Sequence, residues 1–154
     1  MSESCCDARS EIEVIARGVC IVGGNLLVCH TKGASNTYLP GGHVEFSEKA
    51  RESLRREMKE EMGASFAVGQ FLGAIEHSYR KKGQLQHEIN LVFEMTCKTL
   101  KSSGVLKSCE DYIEFLWLPL NELSKSSLEP SSLGKLIPKW VSGAGSVSGW
   151  SSTM

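Results

Sequence analysis

Three glutamates, Glu57, Glu60 and Glu61, stand at i, i+3, i+4 spacing within "RREMKEEMGA". On a helix turning about 100° per residue they fall on one arc. Carboxylates gathered in this way repel one another, and at the edge of a core they also lose hydration. The cost is large unless a cation or an arginine compensates. An oxygen-lined cluster suits Mg²⁺ or Mn²⁺, hard ions that keep several waters and take phosphate oxygens as further ligands. Just upstream, Pro40, Gly41 and Gly42 form a turn where the backbone can approach a ligand with no Cβ in the way. A carbonyl there offers another oxygen. Most Gly pairs are simply turns; the position before a three-acid helix sets this one apart.

The element that must carry the acids is a helix expected over Ser47–Met62. Ser47 is its candidate N-cap, Glu48 an acid of the first turn, and Gly63 its C-terminal cap. Ala50, Leu54, Met58 and Met62 recur every fourth residue and form the stripe that packs on the body of the protein. Glu48, Glu52, Arg55 and Lys59 lie on the side remote from the acid arc and are assigned to solvent, where i,i+4 pairs contribute little. Glu61 projects almost in line with Ala50 and Leu54, at the border of the packed stripe.

Strands flank this helix. "IEVIARGVCIV" and "NLLVCHT", split by "GGN", read as a hairpin. "SFAVGQFLGAIEHSY" and "HEINLVFEMTCKTL" read as two long strands joined by "RKKGQLQ", and "YIEFLWLPL" as another. A short helix is expected at Leu133 to Trp140. The organisation is then a polar tail over 1–10, one domain over 11–141, and a flexible Ser/Gly-rich tail over 142–154.

At 154 residues and 41% hydrophobic content the chain suits one domain with a real core. Seventeen basic against eighteen acidic side chains give a net charge of −1, so no extended nucleic-acid groove is expected and an anionic substrate must be handled locally. No membrane span or secretory signal is expected. The six cysteines form no C-x-x-C or His/Cys cluster and read as free thiols of a cytoplasmic protein.

Gly42, five residues, Glu48, seven residues, then Arg56-Glu57-Met58-Lys59-Glu60-Glu61-Met62-Gly63-Ala64 resembles the signature of the Nudix hydrolases, G-x5-E-x7-R-E-U-x-E-E-x-G-U, where U is a bulky aliphatic residue. Every glycine, glutamate and arginine of the signature is present at its spacing; Met58 and Ala64 depart only where packing is concerned. The match spans 23 of 154 residues, and "WLPLNEL" at 117–123 resembles the family outside it.

The resemblance implies an α/β fold, an α/β/α sandwich with a mixed central sheet and a loop-helix-loop catalytic motif. It implies hydrolysis of a nucleoside diphosphate linked to another moiety, with Mg²⁺ as cofactor and Mn²⁺ as substitute. Glu57, Glu60 and Glu61 would be metal ligands together with the Gly41 carbonyl, and one glutamate of the cluster would be the base for the attacking water. Arg56 would orient an acid of the cluster, Glu48 would support the loop-helix geometry, and Gly42 would lie against the substrate. A carboxylate from outside the signature commonly completes such sites; Glu110 is preferred, ahead of Glu88, Asp111 and Glu114. The partner is a nucleotide-type small molecule, and the sequence does not indicate an oligomeric state.

Tyr79, before the basic "RKK" turn, is the aromatic residue expected to meet a nucleobase, whereas Phe46 and Trp117 are expected to pack in the core. His43, His77 and His87 read as polar surface and stay outside the catalytic set. Two other classes compete with the hydrolase: a Nudix-fold binding or sensor module without turnover, and a protein whose helix is merely charged. The intact Arg56, Glu57, Glu60 and Glu61 argue against both, since neither needs the whole costly acid cluster.

Overall fold

A computed structural model describes residues 10–143 and 149–154. The strands are β1 (Ile12–Val19), β2 (Ile21–Val22), β3 (Asn25–Thr31), β4 (Thr37–Tyr38), β5 (Gly41–His43), β6 (Ala67–Lys81), β7 (Gln84–Thr96), β8 (Ile113–Pro119), β9 (Leu128–Glu129) and β10 (Trp150–Ser152), with helices α1 (Ala50–Met62) and α2 (Leu133–Ser142) and a 3-10 turn at Leu120–Lys125. They form two sheets. One is mixed, in the order β10-β6-β7-β1-β5, and in the other β3 pairs with β2, β4 and β8 while β9 adds to β4.

Alternation along the strands divides the interior into two clusters. Leu27 and Cys29 of β3 join Leu54, Met58 and Met62 of α1 together with Ala16, Phe93, Met95 and Phe115. Leu26 and Val28, pointing the other way, join Leu133, Ile137 and Trp140 of α2 together with Val19, Ile75 and Val92. The two helices therefore lie on opposite faces, the layered arrangement that the resemblance implies. The expected stripe of α1 is the one used: Leu54, Met58 and Met62 are buried and Ala50 packs beside them.

Four expectations change. The first hairpin is only β2–β3, closed by Gly23 and Gly24 at φ 57° and 77°. Cys20 breaks the run, and β1 crosses to the other sheet to pair in parallel with β7 over Ile12–Val19. The β6–β7 turn shrinks from "RKKGQLQ" to Lys82 and Gly83, both at positive φ, because a two-residue turn of this kind matches the strand twist and lets the ladder run to Lys81↔Gln84.

The helix starts at Ala50 and not at Ser47: Ser47 has φ 65°, a turn conformation, and the N-cap is Lys49, which makes no side-chain capping bond. At the other end, Gly63 is the left-handed cap as expected. Finally, the Ser/Gly-rich segment was expected to be flexible throughout; positions 144–148 lie outside the described residues, but Trp150–Ser152 pairs in parallel with Ala74–Glu76 of β6. No helix among the described residues is long and apolar enough to cross a membrane.

Candidate metal and diphosphate site

The site begins with β5. Gly41 has φ 141°, and a Cβ on it would stand 1.9 Å from the Ala16 carbonyl oxygen, so only glycine lets β5 lie this close to β1. At Gly42 a Cβ would stand 2.3 Å from the carboxyl carbon of Glu57. The missing side chain is what lets that carboxylate rest against the backbone of the turn. Two adjacent glycines thus have separate duties, one in the fold and one in the site.

The loop between β5 and α1 is tied down by side chains. Ser53, fully buried, donates to the His43 carbonyl at 2.8 Å. Glu48 accepts from the Glu45 amide at 3.1 Å and from two nitrogens of Arg56. The guanidinium holds its carboxyl far below the usual range, at about 2. Glu48 was assigned both to solvent and to support of the loop; since the helix begins after it, the carboxylate turns inward to Arg56, and the solvent assignment falls. Arg56 also donates to Glu57 Oε1 at 2.8 Å, to Glu60 Oε2 at 3.4 Å and to the His43 carbonyl at 3.2 Å. One arginine thereby organises three of the acids.

Glu61 is the exception. It is 8% exposed, and its Oε2 is buried with no hydrogen-bond partner among the described residues. Burial, and next the charge of Glu57, push its carboxyl up to about 7; Arg17 opposes the shift, and Glu110 and Glu60 add to it. Among the described residues no cation contacts this buried carboxylate, an environment that a divalent ion would relieve. Glu57, Glu60 and Glu61 with the Gly41 carbonyl therefore suit such an ion by donor type and by the orphaned oxygen. Among the described residues, no three acidic, His or Cys side chains are gathered as a ready-made cage; Glu57 and Glu60 are instead drawn toward Arg56.

Glu110 lies in the segment joining β7 to β8, which docks on the end of α1 through the Cys109 amide and the Glu61 carbonyl, 2.6 Å apart. It is half-buried, and its charge is felt by Glu61. Glu88, the second candidate, is 6% exposed on β7 and is occupied elsewhere. Its Oε1 accepts from Tyr79 at 3.0 Å and its Oε2 from the Asn90 amide at 3.2 Å. Tyr79 is accordingly half-buried and its hydroxyl engaged, with its pKa pushed up to about 12 by burial and then by Glu88; its ring stacks on His77.

Phe46, expected in the core, is instead fully exposed at the tip of the loop before α1. The turn at Ser47 carries it outward. Trp117 packs against the α1-side cluster, as expected. His43 lies 3.3 Å from Glu13, and His77 Nδ1 is 2.7 Å from Thr153 Oγ1. Arg17 and Asn90, joined by a hydrogen bond of 3.2 Å, stand outside the residues expected in the site. Their signal was a polar residue at an inward position of an otherwise apolar strand, in "IARGV" and "HEINLV".

A family model described as the NUDIX domain matches residues 13–140. An ADP-ribose pyrophosphatase of Methanocaldococcus jannaschii is 32% identical over 105 residues, 68% of this chain and 59% of that protein. The chain thus spans under two thirds of that curated relative. Among solved structures, a MutT protein from Methanosarcina mazei superposes with a TM-score of 0.65 at 19% identity, covering 88% of this chain and 96% of that one. A MutT NUDIX hydrolase from Burkholderia pseudomallei gives 0.58 at 24% identity, with coverages of 72% and 85%. At these identities the superpositions show a shared fold.

Proposed function

The chain belongs to the Nudix family, and we propose that it is a Mg²⁺- or Mn²⁺-dependent pyrophosphohydrolase. Its substrate would be a nucleoside diphosphate linked to a further group: a nucleoside triphosphate, a nucleotide sugar or a dinucleoside polyphosphate. The name of the Methanocaldococcus relative adds ADP-ribose to that class. The observation that carries the reading is Glu61, a buried carboxylate with an orphaned oxygen beside Glu57 and within the field of Glu60 and Glu110.

Glu57, Glu60, Glu61 and the Gly41 carbonyl would hold the ion, with Glu110 completing the set. When bound, the ion would neutralise the diphosphate and acidify a water. The residues of the chain do the rest. Glu48 fixes Arg56, and Arg56 restrains Glu57 and Glu60. Gly42 keeps the turn open beside Glu57. One glutamate of the cluster would take the proton of the attacking water.

The test is a panel of nucleoside triphosphates, nucleotide sugars, ADP-ribose and dinucleoside polyphosphates with Mg²⁺ and Mn²⁺, with products separated by chromatography. Metal-dependent release of two phosphorylated products is expected. Measurable nucleotide binding without turnover on any of them would support the sensor module instead.

A further inference from the structure

Behind the acids, the mixed sheet carries a second polar chain. Tyr79 and Asn90 both donate to Glu88, one to each carboxylate oxygen, and this leaves the Asn90 carbonyl oxygen to accept from Arg17 Nε at 3.2 Å. Glu88 is 6% exposed and Asn90 2%, so the orientation of the amide is fixed by a buried anion. From the other side Arg17 Nη1 donates to the Leu39 carbonyl at 3.0 Å, and the guanidinium lies over the Tyr38 ring, 5.3 Å from its centroid.

Two things are then left over. Arg17 Nη2 has no hydrogen-bond partner among the described residues, and the partners of the other two nitrogens are neutral, an amide and a carbonyl. Unlike Arg56, which spends its charge on carboxylates, Arg17 makes no ion pair among the described residues. A half-buried cation held by neutral acceptors has paid part of its desolvation without contact with an anion. Its position is equally specific: Arg17 pairs with Gly41 across β1 and β5, and its charge reaches Glu61.

We propose that Arg17, oriented by the Tyr79–Glu88–Asn90 chain, binds a phosphate oxygen of the diphosphate. This rests on reading the acid cluster as a diphosphate site. A carboxylate cluster repels a phosphate chain, and Arg17, paired with Gly41 at the border of the cluster and without an ion pair among the described residues, is a cation placed to offset that repulsion. The planar fork suits the task, since Nη2 is aimed by bonds that Nε and Nη1 make to fixed groups.

The probe is methylenediphosphonate, a nonhydrolysable diphosphate without base or sugar, titrated calorimetrically with Mg²⁺ present. Arg17→Met is expected to weaken binding about tenfold to a hundredfold, the usual weight of one charge-assisted hydrogen bond. Its affinity should also fall less steeply with added KCl than that of the wild type, which a purely structural role would not produce. Arg17→Gln, neutral but able to keep a bond to Asn90, serves the same purpose should the Met variant not fold. If turnover is found, KM should rise more than kcat falls. Wild-type affinity in a folded neutral variant, or no binding by the wild type, would overturn the proposal. Its failure differs from failure of the hydrolase reading, which shows as absence of turnover by the wild type whatever Arg17 binds.

Discussion

Arg56 grips Glu48 with two parallel bonds, Nε to Oε1 at 2.8 Å and Nη2 to Oε2 at 3.0 Å, across the loop that leads into α1. Glu48 titrates at about 2 in the folded chain against an ordinary 4.5. A depressed pKa means that the pair stabilises the fold above the ordinary value and that this contribution is lost as pH falls through the folded one. The melting temperatures of wild type and Glu48→Gln should therefore differ by a constant amount above about pH 5 and converge toward pH 2. Parallel curves over that whole range would show that the pair does not stabilise the loop.

Glu61 titrates in the opposite sense. With its pKa raised to about 7, the folded chain holds the proton more tightly than the unfolded one, so the wild type loses stability as pH rises from about 4.5 through 7. Glu61→Gln should lack that loss and be the more stable by roughly 3 kcal/mol at most above pH 7 without metal. It should also abolish Mg²⁺-dependent hydrolysis, as should Glu60→Gln, with the fold retained. Chemical denaturation at pH 5 and 8 and a turnover assay check both halves, and unchanged turnover in the two variants would remove the metal-site assignment.

The neighbouring glycines should fail differently. Gly41→Ala puts a Cβ into the Ala16 carbonyl at a φ that side chains rarely adopt, so the loss should be of melting temperature. Gly42→Ala first meets the Glu57 side chain, from its Cγ to a carboxylate oxygen, and not backbone. Its melting temperature should stay close to wild type while Mg²⁺-dependent turnover drops at least tenfold. Equal losses in both variants would contradict the division of labour.

Burial pushes the thiols of Cys20 and Cys29 up to about 11 and 12. Cys109 is exposed. Iodoacetamide at pH 8 should therefore alkylate Cys109 and leave Cys20 and Cys29 unmodified in the folded chain, as read by peptide mass mapping. Early labelling of Cys29 would count against a closed α1-side cluster.

What was legible in the sequence was what local spacing controls. The apolar stripe of α1 and the cap at Gly63 depend on residues a few positions apart, and they stand where the spacing puts them. Long-range choices were less legible. That β1 leaves its hairpin for β7 depends on a strand some seventy residues away, and Phe46 points outward because Ser47 adopts a turn that its residue type does not favour. The Glu48–Arg56 pair was not foreseen: the resemblance gave Arg56 an acid of the cluster and Glu48 the loop, without joining the two. Arg17 was hidden because its partner Asn90 lies 73 residues further on.

The two-sided character of β3 has a thermodynamic corollary. Leu27 and Met58 share one cluster, Val28 and Ile137 the other, and a single backbone separates them. Truncations within one set compete for the same void and should be non-additive, whereas one from each set should sum independently. A core repair made beneath the acid helix will then leave the opposite layer untouched, so the two halves of this interior can be altered one at a time.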